Sequence, residues 1–142
     1  MNEYKSTLVA QAPEPAAPPR VTRWRWKVGL AFLLGLLSLF LTFFVIEVFG
    51  DYALFIGLGA YFLATQFLLS RGNPQAVCKG WPIIMALNFT LLCNAVIALT
   101  IEPNKGAALE MLWLALLALA CSCAGAALAA RVARRRRAVI SI

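Results

Sequence analysis

The chain has 142 residues, 62% of them apolar and only 13% charged, with a mean hydropathy of +0.80 and a net charge of +7. A soluble domain carries about 25% charged and about 45–50% apolar residues, so this composition excludes an ordinary water-soluble globule. No nucleic-acid partner is expected, because the basic residues flank hydrophobic segments, and the absence of histidine removes the commonest general base and the commonest metal ligand together.

Residues 1–20 read MNEYKSTLVAQAPEPAAPPR, with Pro13, Pro15, Pro18 and Pro19 set among alanines. Proline removes backbone donors and favours extended geometry, so residues 1–27 are expected to form a disordered basic tail. The apolar stretch that follows is too long for the h-region of a signal peptide, and no A-x-A site comes after it, so it is expected to stay in the mature protein. Roughly 20 residues at a 1.5 Å rise cross a ~30 Å hydrocarbon core. Four stretches meet that requirement: residues 28–49, 52–70, 81–101 and 107–130. Gly50 and Asp51 make a tight turn between the first two. Residues 71–80 form a polar loop with the turn signal Gly72, Asn73 and Pro74. Pro82 falls in the first turn of the third stretch, where a missing N–H costs little. EPNKG over 102–106 makes another short turn, and RVARRRR opens a basic C-terminal tail over residues 131–142. The predicted fold is an all-α membrane protein, a bundle of four transmembrane helices over residues 28–130.

Orientation follows from the basic flanks. Lys5, Arg20, Arg23, Arg25 and Lys27 precede the first stretch, Arg71 and Lys79 lie in the 71–80 loop, and Arg131, Arg134, Arg135, Arg136 and Arg137 follow the last. The other two connections hold only Lys105. The positive-inside rule predicts that both termini and the 71–80 loop are cytoplasmic. Glu47, Asp51, Glu102 and Glu110 gather at the opposite end, as solvated interfacial charges or as a cation-attracting rim. Trp24, Trp26 and Trp81 mark one interface, and Tyr52 and Trp113 the other.

The stretches differ in their faces. The first is rich in Leu and Phe and tolerates lipid on much of its circumference, with Gly35, Ser38 and Thr42 as one stripe. In the fourth, Ala118, Ser122, Ala126 and Ala130 recur every four residues, and so do Cys121, Gly125 and Ala129. Adjacent rows of small residues let backbones approach closely in lipid, so Ala118, Ser122, Gly125, Ala126 and Ala129 are expected at a helix contact, in the bundle or across a dimer. The third carries Asn88, Thr90 and Asn94, whose polar groups should point inward. Gln66, Thr65 and Tyr61 on the second are their natural partners. These groups read either as structural glue or as a polar path.

Other motifs carry less. Cys121-Ser122-Cys123 has C-x-C spacing, but residues two apart on a helix point about 200° from each other, so one ion is out of reach of both thiols. Asn88-Phe89-Thr90 matches a glycosylation sequon yet lies within a span. Cys78, beside the membrane, is an unmodified thiol or an acylation site. Arg131, Arg134, Arg135, Arg136 and Arg137 are expected to contact anionic lipid, at ~1 kcal/mol per basic residue near the surface, and they also form an ordinary stop signal.

No phosphate loop, nucleophile elbow or acid–base pair is present, so no enzymatic activity and no cofactor or metal are expected. The expected function is that of a non-catalytic accessory or assembly subunit, acting through helix–helix contacts with other membrane subunits or with itself. The alternative is a small transporter or channel subunit with an amide-lined path; no charged residue lies at mid-depth to couple it to protons. Size and compactness suggest a multi-pass protein of the bacterial inner membrane.

Overall fold

The computed structural model describes residues 21–101 and 105–140, all helix, turn or short connection without a strand. The elements are α1 (Val21–Phe49), α2 (Asp51–Ser70), α3 (Ala76–Lys79), α4 (Trp81–Ile101) and α5 (Lys105–Ile140). Four of them, α1, α2, α4 and α5, are long and apolar enough to cross a membrane. This is the architecture of a multi-pass membrane protein, with apolar segments over Trp24–Phe49, Tyr52–Ser70, Trp81–Ile101 and Gly106–Ile140.

The outer helices run further than hydropathy suggests. Helix α1 starts at Val21, so residues 21–27 of the expected disordered tail are helical, while residues 1–20 lie outside the described residues. The helix begins two residues after Pro19, the last residue that opposes it. Helix α5 continues through the arginine run to Ile140 rather than ending near Ala130. Arginine and alanine are good helix formers, and cations in a last turn favour the helix dipole. Loss of hydropathy marks the edge of an apolar layer, not the end of a helix. At 1.5 Å per residue α5 is about 54 Å long, against about 30 Å for α2.

One residue separates α1 from α2. Gly50 donates its N–H to Ile46 O (3.2 Å) as the last helical bond of α1, then turns the chain at φ 79° and ψ 177°, a positive-φ conformation that glycine adopts at least cost. The 71–80 segment contains a short helix in place of the expected plain loop. Asn73 Oδ1 accepts the Gln75 N–H (3.0 Å), and α3 follows. Ala76 is fully buried against Ile84, Ala126 and Ala130, which pins α3 to α4 and α5.

The bundle is a square in which α1 and α5 both neighbour α2 and α4. Tyr61 Oη donates to Leu34 O (2.9 Å) and Lys27 Nζ to Leu69 O (3.0 Å), so α1 and α2 are antiparallel. Gly35 sits against Leu87, and Ile46 and Ala98 line one cleft, so α1 and α4 run parallel. Gly59 beside Cys121 and Gly125 beside Leu63 make α2 and α5 parallel as well. Two antiparallel hairpins therefore pack side by side, with α2 and α4 on a diagonal.

Candidate functional site

Small residues decide where the hairpins meet. Ala118, Ser122, Gly125, Ala126 and Ala129 are all buried within the chain's own bundle. A Cβ on Gly125 would run into the carbonyl oxygen of Leu63 and lie 3.2 Å from the Phe67 amide nitrogen, so α2 and α5 approach backbone to backbone. The stripe of Gly35, Ser38 and Thr42 is buried in the same way on α1. A Cβ on Gly35 would come 2.5 Å from Leu87 O of α4. Phe32 and Phe89 flank this crossing with ring centroids 6.0 Å apart. Lipid tails are as apolar as leucine, so close packing takes over the role that the hydrophobic effect has in water.

Polar side chains in the interior find other partners than expected. Asn88, fully buried, donates through Nδ2 to Ile84 O (2.8 Å) and to Ser122 Oγ of α5 (2.9 Å). Ser122 donates in turn to Ala118 O (2.8 Å). Gln66, also fully buried, donates to Ser70 Oγ (3.0 Å) on its own helix. Thr65 donates to Tyr61 O (2.7 Å), and Asn94 to Thr90 O (2.8 Å). The expected pairing of Asn88 and Asn94 with Gln66, Thr65 and Tyr61 is therefore replaced, because α2 and α4 lie diagonally and α5 takes the place beside Asn88. Thr90 and Asn94 are half-buried. By the α1–α4 register they stand level with Ser38 and Thr42, whose hydroxyls bond back to Gly35 O and Ser38 O. Gln66 Oε1, Asn88 Oδ1 and Thr90 Oγ1 are buried with no hydrogen-bond partner among the described residues.

The cysteines diverge. Cys121 packs with the main apolar cluster and lies 3.3 Å from where a Cβ on Gly59 would be, whereas Cys123 packs against the smaller cluster around Ile84 and Ala126. Cys78 on α3 is exposed, and all four are free thiols. Glu47 and Glu110 are exposed at the end of the bundle opposite the arginines; Glu102 and the side chain of Asp51 lie outside the described residues.

Two clefts open at opposite ends. One, of about 270 Å³, lies between Ile46, Leu54, Ala98 and Leu114, with Glu110 at its edge. The other, of about 810 Å³, lies at the basic end and is lined by Trp24, Trp26, Lys27, Arg71, Lys79 and Arg137 among others. Only Arg137 of the arginine run lines it; Arg131, Arg134, Arg135 and Arg136 are exposed elsewhere on the helix. Its residues come from α1, the turn after α2, α3 and the end of α5. Sequence reasoning saw these cations as flank charges and missed that they converge. The only signal for it was the lack of any Gly or Pro after Gly125 to stop α5 short of Arg137. No protein-family model matches the chain, and neither a curated protein nor a solved structure shows significant similarity to it.

Proposed function

We propose that the chain is a non-catalytic accessory or assembly subunit of a cell membrane, held with both termini and the 71–80 segment in the cytoplasm and most readily placed in a bacterial inner membrane. The observation that carries the reading is the filled interior of the bundle. Phe62, Gln66, Leu87, Asn88 and Ser122 are each fully buried there, and two glycine–carbonyl approaches draw the helices together around them. A carrier needs groups inside the bundle that bind and release its cargo. Here the amide nitrogens of Asn88 and Gln66 are bonded to Ser122, Ser70 and the helix backbone, and the two amide oxygens left without a partner are closed in among packed side chains. The small-residue rows also serve contacts inside the bundle, so a partner subunit would meet the outward apolar faces, such as Phe40, Phe43 and Phe44 of α1.

The orientation rests on the flanking cations and is read with a reporter fused at Ile142 that is active only outside the cytoplasm; it should stay silent. The function is tested in two steps. In liposomes under an imposed pH gradient with cationic solutes, the purified chain should show neither solute-dependent proton movement nor solute leak. Proton movement lost in Glu47→Gln would establish a coupled carrier, and a leak lost in Asn88→Leu an amide-lined path. Solubilised from its native membrane in mild detergent, the chain should run in a discrete complex larger than its own 15.5 kDa. A uniform monomer there would overturn the assembly reading.

A further inference from the structure

The geometry points to the basic-end cleft as a discrete binding site for the phosphate headgroup of an anionic phospholipid, a property independent of the assembly reading. Flank cations that serve only to orient helices have no reason to share a concavity. Here Lys27, Arg71, Lys79 and Arg137 line one cleft although they are far apart in the chain. Like charges gathered around one hollow repel, and an anion in the hollow relieves that repulsion. Among the described residues no carboxylate lines the cleft to relieve it.

Three features of the fold hold the cations in place. Lys27 is half-buried, and its ammonium is anchored on Leu69 O at the end of α2 (3.0 Å), a helix C-terminus that favours a cation. The buried Ala76 pins α3, and with it Lys79, against α4 and α5. Helix α5 stays helical ten residues past the apolar stretch, which brings Arg137 to the same cleft as Arg71. The volume, about 810 Å³, falls within the roughly 300–1,000 Å³ of small-molecule sites.

A lipid is favoured over a free anion by what stands beside the charges. Trp24 and Trp26 line the same cleft, and tryptophan belongs where headgroups meet acyl chains. From the cleft the exposed apolar side chains of α1, among them Phe32, Leu33 and Leu36, continue along the helix, a surface for the lipid's tails.

The test uses the full chain in zwitterionic detergent, titrated separately with a short-chain phosphatidylglycerol, with phosphatidylcholine of the same chains, and with inorganic phosphate; bound ligand is counted by native mass spectrometry. Phosphatidylglycerol should bind saturably at one site, more tightly than either of the others. Arg137→Gln and Arg71→Gln should each weaken it about fivefold, the factor for losing one basic contact near a membrane surface. Arg135→Gln, in the same run but away from the cleft, should leave it unchanged. All of these arginines are exposed, so the variants keep the fold, which helix content by circular dichroism verifies. Equal losses in Arg135→Gln and Arg137→Gln would reduce the effect to diffuse charge and overturn the site. Equal binding of phosphatidylcholine would remove anion recognition, and equal binding of inorganic phosphate would overturn the lipid.

Discussion

The two parallel helix pairs, α1 with α4 and α2 with α5, solve the same problem with different surroundings. Each brings a glycine onto a carbonyl oxygen, Gly35 onto Leu87 and Gly125 onto Leu63. Around Gly125 the seam continues one turn earlier to Cys121 beside Gly59, and the α2–α5 contact is the most extensive in the bundle. Around Gly35 the seam carries Ser38 and Thr42, whose hydroxyls bond back to their own helix. The opposite face of α1 points outward with large side chains, Phe40 at 74% and Phe43 at 69% exposure. Close backbone approach is thus the shared device, while the extent of the contact around it differs between the pairs.

The comparison breaks most visibly at Gly125. Gly125→Leu forces a branched side chain between two backbones and should cost about 3 kcal/mol, the upper part of the range for overpacking, read as a lowered melting temperature in detergent. Leu116→Ile, on the exposed side of the same helix, should change stability by less than about 1 kcal/mol. An unchanged melt in Gly125→Leu would mean that the α2–α5 seam is not a real contact.

Alanine scanning of the glycines sharpens the same point through its sign. A glycine in a helix normally costs about 0.5–1 kcal/mol relative to alanine. Gly29 and Gly57 have nothing within 4 Å of an added Cβ, so alanine there should stabilise. At Gly35 and Gly125 the Cβ meets backbone that has no flexible end to yield, so alanine should destabilise, by about 1–3 kcal/mol. Thermal unfolding of the four variants side by side measures both signs, and stabilisation at Gly35 or Gly125 would refute the close approach.

The smallest expected effects separate polar contacts from packing. Ser122→Ala removes the acceptor of Asn88 between α4 and α5, and Tyr61→Phe removes the bond to Leu34 O between α2 and α1. Each should cost about 0.6 kcal/mol, the average for such bonds within a bilayer. Because the two bonds join different helix pairs and share no partner, the double variant should show the sum in a denaturant titration. A loss of several kcal/mol at Ser122 would move the weight of the α4–α5 contact from packing to the polar pair.

Much of the architecture was already legible in residue order. Four apolar stretches of spanning length, the turn at Gly50 and the small-residue rows at Ala118–Ala129 and Gly35–Thr42 all follow from local chemistry, because length, hydropathy and side-chain size belong to each segment by itself. Helix ends were less legible. The apolar run stops near Ala130, but Arg and Ala sustain the backbone to Ile140, since helix formation and lipid solubility are different free energies. Neighbours were not legible at all. Asn88 can hydrogen-bond across whichever helix lies beside it, and only the arrangement of the hairpins put Ser122 there and Gln66 on the diagonal. The basic-end cleft is of the same kind: Lys27, Arg71, Lys79 and Arg137 are ordinary flank charges along the chain and converge only through the Lys27 anchor, the buried Ala76 and the length of α5. Segment chemistry decides what enters the membrane; which side chains meet there depends on packing between segments, which no single segment encodes.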